Sequence, residues 1–213
     1  MSKVRVHNFS ISLDGFGTGD GMTLEDPFGH AGRRLHDWMF ATQFGRSLFG
    51  QDGGGVGVDQ AFAERNVLGI GAEIMGAGKF GPPGWQEDAT WRGWWGEDPP
   101  FHTPVFVMTR HEAEPMVMEG GTTFHFVAGS PKEVLDLARQ AAGGLDVRVG
   151  GGPTTVRGFL EADLVDELHV VQVPIVLGRG TRLWEGLEGT EERFAIEAVT
   201  SPSGVVHLTF TRR

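Results

Sequence analysis

The chain has 213 residues, a formal net charge of −10 and no cysteine. That length suits one α/β domain with room for a core. The acidic balance argues against a nucleic-acid or anionic-membrane partner, which would want a basic face, and the missing cysteine removes disulfides, thiolate nucleophiles and Cys-ligated metals.

No run approaches the roughly 18 apolar residues of a membrane span. The N-terminus lacks the apolar core of a signal peptide, so a cytoplasmic protein is expected. A first strand is expected over residues 4–12, where Val4, Val6, Asn8 and Ser10 alternate with Arg5, His7, Phe9 and Ile11. Neither face is wholly polar, which suits a central strand buried on both sides. The strand ends in Ser12-Leu13-Asp14-Gly15-Phe16, where Asp and Gly favour a turn with side-chain-to-backbone bonding. Residues 17–32 form a polar, glycine-rich loop, either a flap over a site or a plain surface excursion.

A helix is expected over residues 33–42, with Leu35, Trp38 and Met39 on one face and His36 and Asp37 beside them. A second is expected over residues 58–67, with Val58, Phe62 and Ala61 inward. The strand over residues 68–75 ends in Gly76-Ala77-Gly78-Lys79-Phe80-Gly81. This matches G-x-G-x-x-G letter for letter, yet Pro82-Pro83-Gly84 stops the helix that a dinucleotide loop needs. A short helical turn over residues 77–80 still presents N–H groups, and Lys79 either meets a phosphate or is a solvated lysine on a turn.

Residues 82–104 follow no period, and Trp85, Trp91, Trp94 and Trp95 lie there among prolines and acids. Packing onto the protein body or another subunit is expected, with an aromatic wall for a flat ligand as the alternative. A strand over residues 105–109 closes with Thr109-Arg110-His111. Arg110 is either a phosphate contact through its fork of donors or a solvated residue. Residues 122–128 alternate as a strand. Ser130-Pro131-Lys132-Glu133 is a capping box with Pro at the first helical position. The helix it opens carries Val134, Leu135, Leu137, Ala138 and Ala141, and stops at Gly143-Gly144.

The most informative stretch is residues 146–178. Val147-Arg148-Val149 is a short strand that runs into Gly150-Gly151-Gly152. Pro153 suits the first position of a helix, and Val156, Phe159 and Leu160 give that helix an apolar face. A second strand is expected over residues 164–173, completing a βαβ unit. Such a unit aims the first N–H groups of its helix at whatever sits above the carboxyl end of the strand, and these favour an anion, typically a phosphate. The alternative is a glycine turn that binds nothing. Residues 178–184 are a turn and a short extended piece, and residues 193–200 and 205–212 form a closing antiparallel hairpin. The pattern reads as α/β, with a mostly parallel sheet and an antiparallel C-terminal edge. H-E-x-x-H, G-x-S-x-G and tyrosine are absent, and the eight histidines are scattered singly. No metal site is expected.

Several of these pieces coincide with one family. Ser12-Leu13-Asp14-Gly15-Phe16 and Ile74-Met75-Gly76 resemble motifs of the dihydrofolate-reductase-like proteins. So do the strand over residues 105–109 and Val149-Gly150-Gly151-Gly152 with Leu164-Val165-Asp166-Glu167-Leu168. Pro174-Ile175-Val176-Leu177-Gly178-Arg179-Gly180 completes the resemblance, in the same order as in the family. The family includes the reductase domain of the bifunctional riboflavin-biosynthesis deaminase/reductase. The resemblance implies a single dihydrofolate-reductase-like domain over residues 1–213, a three-layer fold with helices on both faces of the sheet, and NADPH as cofactor.

By carry-over, Gly151, Gly152, Pro153, Thr154 and Thr155 face the cofactor's pyrophosphate and nicotinamide side. Gly76, Ala77, Gly78 and Lys79 meet the other phosphates, and Thr109 and Arg110 lie near the adenosine 2′-phosphate. Asp14, Phe16 and Trp38 fall on the substrate side. Asp37 sits on the helix that in dihydrofolate reductases carries an acid assisting protonation, the alternative being a solvated helix aspartate. The chain departs from the family pattern at Ala77 and Gly78, where an arginine is usual, and at Val149, where the riboflavin enzymes have a glutamate. The expected function is NADPH-dependent hydride transfer to a small, flat, conjugated substrate, pterin-, pyrimidine- or quinone-like. The alternative is a non-catalytic nucleotide- or pterin-binding or interaction protein that keeps the fold. A homodimer is expected by resemblance.

Overall fold

The structure is a computed structural model and describes residues 2–30 and 32–213. In chain order the elements are β1 (Val4–Ile11), β2 (Phe16–Thr18), α1 (Asp37–Phe40), α2 (Gln43–Ser47), α3 (Val58–Glu64), β3 (Ile70–Gly76), α4 (Ala77–Phe80) and β4 (Pro104–Met108). They continue as β5 (Met116–Val117), β6 (Thr123–Val127), α5 (Pro131–Ala141), β7 (Asp146–Val149) and α6 (Pro153–Glu161). The last are β8 (Glu167–Gln172), β9 (Thr181–Arg182), β10 (Phe194–Thr200) and β11 (Val206–Arg212). The chain divides into two compact units: the residues up to Val6 with Gly69–Asp166, and His7–Leu68 with Glu167–Arg213.

In the first unit the strand order is β1-β7-β3-β4-β6-β5. Every pair is parallel except the edge pair β5–β6. The central strands read as near-continuous apolar runs because both faces are covered. Ala72, Ile74, Met75, Val105, Val107, Val147 and Val149 are all buried. A charge pair lies within this apolar sheet: Glu73 on β3 is opposite Arg148 on β7, both are buried, and the two form an ion pair. Helix α5 presents Val134, Leu135 and Ala138 to the sheet, and its capping box is complete. Ser130 accepts from the Glu133 N–H, and the Glu133 carboxylate accepts from the Ser130 N–H. These bonds satisfy donors that the helix start would otherwise leave without partners.

In the second unit the remainder of β1 lies beside β8, followed by β11 and β10. The chain ends in the expected hairpin, antiparallel from Phe194↔Arg212 to Thr200↔Val206. The single helix expected over residues 33–42 is broken instead: a 3₁₀ turn at Gly32–Leu35 precedes the one-turn α1. Thr42 then restarts the chain as α2, its side chain accepting from the Gly45 N–H. A threonine that caps the next helix ends the previous one, because the capping position requires extended backbone. On α3 the inward alanine is Ala63, while Ala61 is exposed. Over residues 17–32, β2 pairs with β9, the Gly19 N–H donates to the Phe28 carbonyl, and His30 Nδ1 accepts from the Asp20 N–H. Residue 31 of that loop lies outside the described residues. Among the described residues, no helix is long and apolar enough to cross a membrane.

Candidate functional site

Two glycine turns meet at the carboxyl end of the parallel sheet in the first unit. The register places Ile74 opposite Val149 and Gly76 opposite Met108, so β3, β4 and β7 end side by side. Such strand ends are where α/β sheets hold ligands. Gly76 packs so closely on α6 that a Cβ there would collide with Thr155 Oγ1. Gly151 is held at φ +110, where a Cβ would also come within 3.1 Å of the Gly76 nitrogen. Glycine is needed at both places, for close approach at the first and for backbone conformation at the second.

Beyond the turn, α6 starts at Pro153 on Gly152, with no side chain capping it. The Thr155 and Val156 N–H groups bond back to the Gly152 carbonyl. The N–H groups of Gly151, Gly152 and Thr154 meet no acceptor among the described residues. Gly152 and Thr154 are exposed, so those donors are open to a ligand.

Lys79 completes this arrangement. The α4 turn at Ala77–Phe80 brings its ammonium over β7, so that a Cβ on Gly150 would lie 2.6 Å from Nζ. The ammonium also sits 5.6 Å from the centre of the Phe101 ring. No carboxylate among the described residues pairs with it. Lys79 keeps part of its surface in solvent, yet burial of the charged head lowers its pKa from 10.5 to about 8. An unpaired cation, three N–H groups without an acceptor among the described residues and a helix N-terminus are features that favour an anion.

Thr109 and Arg110 follow β4 on the same edge of the sheet. Thr109 is buried and its hydroxyl accepts from the His111 N–H, whereas Arg110 is exposed. The tryptophan segment packs inward, as expected. Trp85 meets Phe80 edge-on at 4.8 Å, Trp95 stacks on Phe124 at 6.1 Å, and the Trp91 indole N–H donates to the Phe80 carbonyl at 3.2 Å.

The residues expected on the substrate side all lie in the second unit. Asp14 is spent on its own turn: its carboxylate accepts from Ser12 Oγ at 2.6 Å, from the Leu177 N–H at 3.1 Å and from the Gly178 N–H at 2.8 Å. The Ser12 hydroxyl, helped by those two N–H groups, holds its pKa down at about 2. Phe16 is buried, with the Arg182 guanidinium 4.4 Å from the centre of its ring. Trp38 is buried too, its indole N–H donating to Ser10 Oγ at 2.9 Å. Asp37 is exposed at the start of α1, as in the solvated alternative.

Sequence reasoning missed a buried polar chain in this unit. Asp59, His207, His169 and Asn8 are linked in series. The four positions are far apart in sequence; the pairing of β1, β8 and β11 brings Asn8, His169 and His207 together, and Asp59 joins them from α3. Among the described residues, no group of three or more potential ligands could hold a metal ion.

A family model described as the RibD C-terminal domain matches residues 3–207. Among solved structures, a protein from Shewanella sp. PV-4 named for riboflavin biosynthesis aligns with a TM-score of 0.61 at 19% identity, covering 100% of this chain and 99% of that one. A pyrimidine reductase-like protein from Corynebacterium diphtheriae aligns with a TM-score of 0.56 at 14% identity, covering 100% and 92%. The diaminohydroxyphosphoribosylaminopyrimidine deaminase/5-amino-6-(5-phosphoribosylamino)uracil reductase of Thermotoga maritima aligns with a TM-score of 0.55 at 14% identity; all of this chain is covered but only 57% of that one. At these identities the likeness is one of fold. No curated protein matches the chain.

Proposed function

Because the chain belongs to the RibD C-terminal domain family, we propose that it is a reductase that takes hydride from NADPH and passes it to a small, flat, conjugated substrate, a pyrimidine being the first to test. The observation that carries this reading is the Lys79 ammonium, unpaired and set against the Gly150–Gly152 turn.

The donor set fits a diphosphate. Lys79 supplies the charge that the family's usual arginine would supply at the position of Ala77 or Gly78. The N–H groups of Gly151, Gly152 and Thr154 supply directed hydrogen bonds, and glycine at 76 and 151 lets the backbone come close. In this reading Arg110, exposed past β4, would take a further phosphate. The nicotinamide, when bound, supplies the hydride. The proton that completes the reduction comes from water.

Calorimetric titration with NADPH, NADH and NADP⁺ tests the cofactor, and NADPH consumption over a panel of pyrimidines, pterins and quinones tests turnover. Micromolar NADPH binding that Lys79→Ala weakens at least tenfold supports the reading. Absence of binding to all three nucleotides overturns it. A second reading, a binding protein without turnover, is favoured by the internal engagement of Asp14, Phe16 and Trp38. It would show NADPH binding with no oxidation by any substrate in the panel.

A further inference from the structure

The buried chain in the second unit runs from the protein surface into the sheet. Asp59, near the start of α3, accepts from His207 Nε2 at 2.9 Å. His207 Nδ1 faces His169 Nε2 at 3.0 Å. His169 Nδ1 faces both the backbone N–H and the side-chain Oδ1 of Asn8, each at 3.2 Å. Both imidazoles are buried, at 0% and 1% exposure for His207 and His169. Phe62, also on α3, covers both rings face to face, at 4.1 Å and 4.7 Å. The helix is therefore fastened twice over one pair of histidines, by a carboxylate and by a ring.

The bonding pattern fixes where protons sit. The Asp59 carboxylate can only accept, so His207 Nε2 carries a hydrogen. When His207 is neutral its Nδ1 is an acceptor, and His169 Nε2–H donates to it. His169 Nδ1 is then a lone pair, which the Asn8 N–H satisfies. If His169 gains a proton, Nδ1–H turns to Asn8 Oδ1. That oxygen is aimed there because Asn8 Nδ2 donates to the Ala63 carbonyl at 3.3 Å. Asn8 offers a donor and an acceptor to the same nitrogen because its backbone is left-handed, with φ 55. Asparagine is among the few residues that adopt this conformation readily. The pair therefore takes up one extra proton by exchanging the bond from the Asn8 N–H for one to Asn8 Oδ1. A second proton would set N–H against N–H across 3.0 Å.

The surrounding charges oppose the second proton as well. His7 and Arg65 face His169 as positive or potentially positive groups. Glu167 is the counter-charge, but it is engaged by His7 at 2.9 Å. Asp59 is shared with the hydroxyls of Ser201 and Ser203. Trp38 closes the remaining side, edge-on to His207 at 5.2 Å.

We infer that Asp59, His207, His169 and Asn8 form an acid-sensitive latch, which fastens α3 to the sheet near neutral pH and releases it when both imidazoles must carry a proton. Burial lowers the proton affinity of both rings, which agrees with this geometry. Opening α3 lifts Phe62 and Asp59 away and gives both rings to water, where each is charged below about pH 6.5. Since α3 packs on α1 and α2, release also loosens the segment that carries Asp37 and Trp38.

The test is native-state hydrogen exchange between pH 7.5 and 5, corrected for intrinsic rates, comparing amides of α3 with those of α5 in the other unit. The latch predicts that α3 protection falls about tenfold per pH unit below 6.5 for each imidazole that gains a proton on opening, ahead of α5. His169→Gln keeps a donor toward His207 and removes one titration, so it should flatten the α3 profile. Nitrogen-15 spectra of the wild-type imidazoles should show hydrogen on Nε2 of both rings at neutral pH, a readout that does not depend on the variant folding. Protection of α3 that stays flat, or falls only in step with α5, overturns the inference. So does hydrogen on Nδ1 of His207 at neutral pH.

Discussion

Lys79 occupies the space in which a side chain on Gly150 would begin: a Cβ at Gly150 would lie 2.6 Å from its Nζ. The group that would have to move is the far end of a flexible side chain, and Gly150 is not among the glycines with positive φ. Gly150→Ala should therefore fold with a stability change below about 1 kcal/mol, while displacing the ammonium from the anion site. A charge-assisted hydrogen bond is worth about 1.5–3 kcal/mol, so NADPH affinity should fall roughly tenfold to a hundredfold, as in Lys79→Ala. Calorimetry on both variants checks this. Unchanged affinity in Gly150→Ala would remove Lys79 from the site.

The pH dependence of binding should carry the same signature. Lys79 is charged below about pH 8 and neutral above it, and only the charged form attracts a phosphate. Affinity for NADPH should decline as pH rises through about 8 to 9, and Lys79→Arg should abolish the decline. The free protein should show the opposite trend. Its lysine loses the proton more easily than the unfolded chain does, so the unfolded state binds more protons between about 8 and 10.5. Stability should rise with pH across that window. Paired binding and thermal-melt series at several pH values separate the two effects.

Gly76 and Thr155 should be coupled. Gly76→Ala forces its new methyl into Thr155 Oγ1, and overpacking of this kind costs about 1–3 kcal/mol. Thr155→Ala removes the colliding atom, so the double variant should recover more than half of the loss. A double-mutant cycle by urea denaturation measures the coupling. Additive losses would show that the two turns are not in the contact described.

Ser12 should set the acidity of Asp14. Its hydroxyl is the first cause of the depressed Asp14 pKa, ahead of the Leu177 and Gly178 N–H groups. Ser12→Ala should raise that pKa from about 2 toward the ordinary 3.8, visible in a carboxyl-carbon NMR titration. Because the folded carboxylate has the lower pKa, its contribution to stability is present above about 3.8 and is lost as pH falls through about 2. The variant should narrow that window.

Asp37 is exposed, so an active enzyme should tolerate Asp37→Asn with a turnover change below about tenfold, short of the 10²–10⁴ that a positioned acid contributes. Steady-state kinetics with the first substrate found in the panel would decide. A loss of a hundredfold or more would restore Asp37 to a direct role.

Much of the fold was legible in the chain because it is written locally. The alternation of residues in β1, the capping box at Ser130 and Glu133, the one-turn helix at Ala77–Phe80, and the strand, glycine turn and helix around Gly150 each depend on neighbours a few residues apart. The two glycine-rich turns, with a lysine in one of them, were legible for the same reason. What the tertiary structure alone decided was which groups met across the sheet. It placed Lys79 against Gly150 and turned the tryptophans inward onto Phe80, Phe124 and Phe126. It also engaged Asp14 and Trp38 in internal bonds, where the chain had left them open to a ligand. The histidines show the limit most plainly. Scattered singly in sequence, two of them become one hydrogen-bonded pair only when β8 and β11 align. No spacing rule anticipates this, because the register that joins them is set by the packing of the whole sheet.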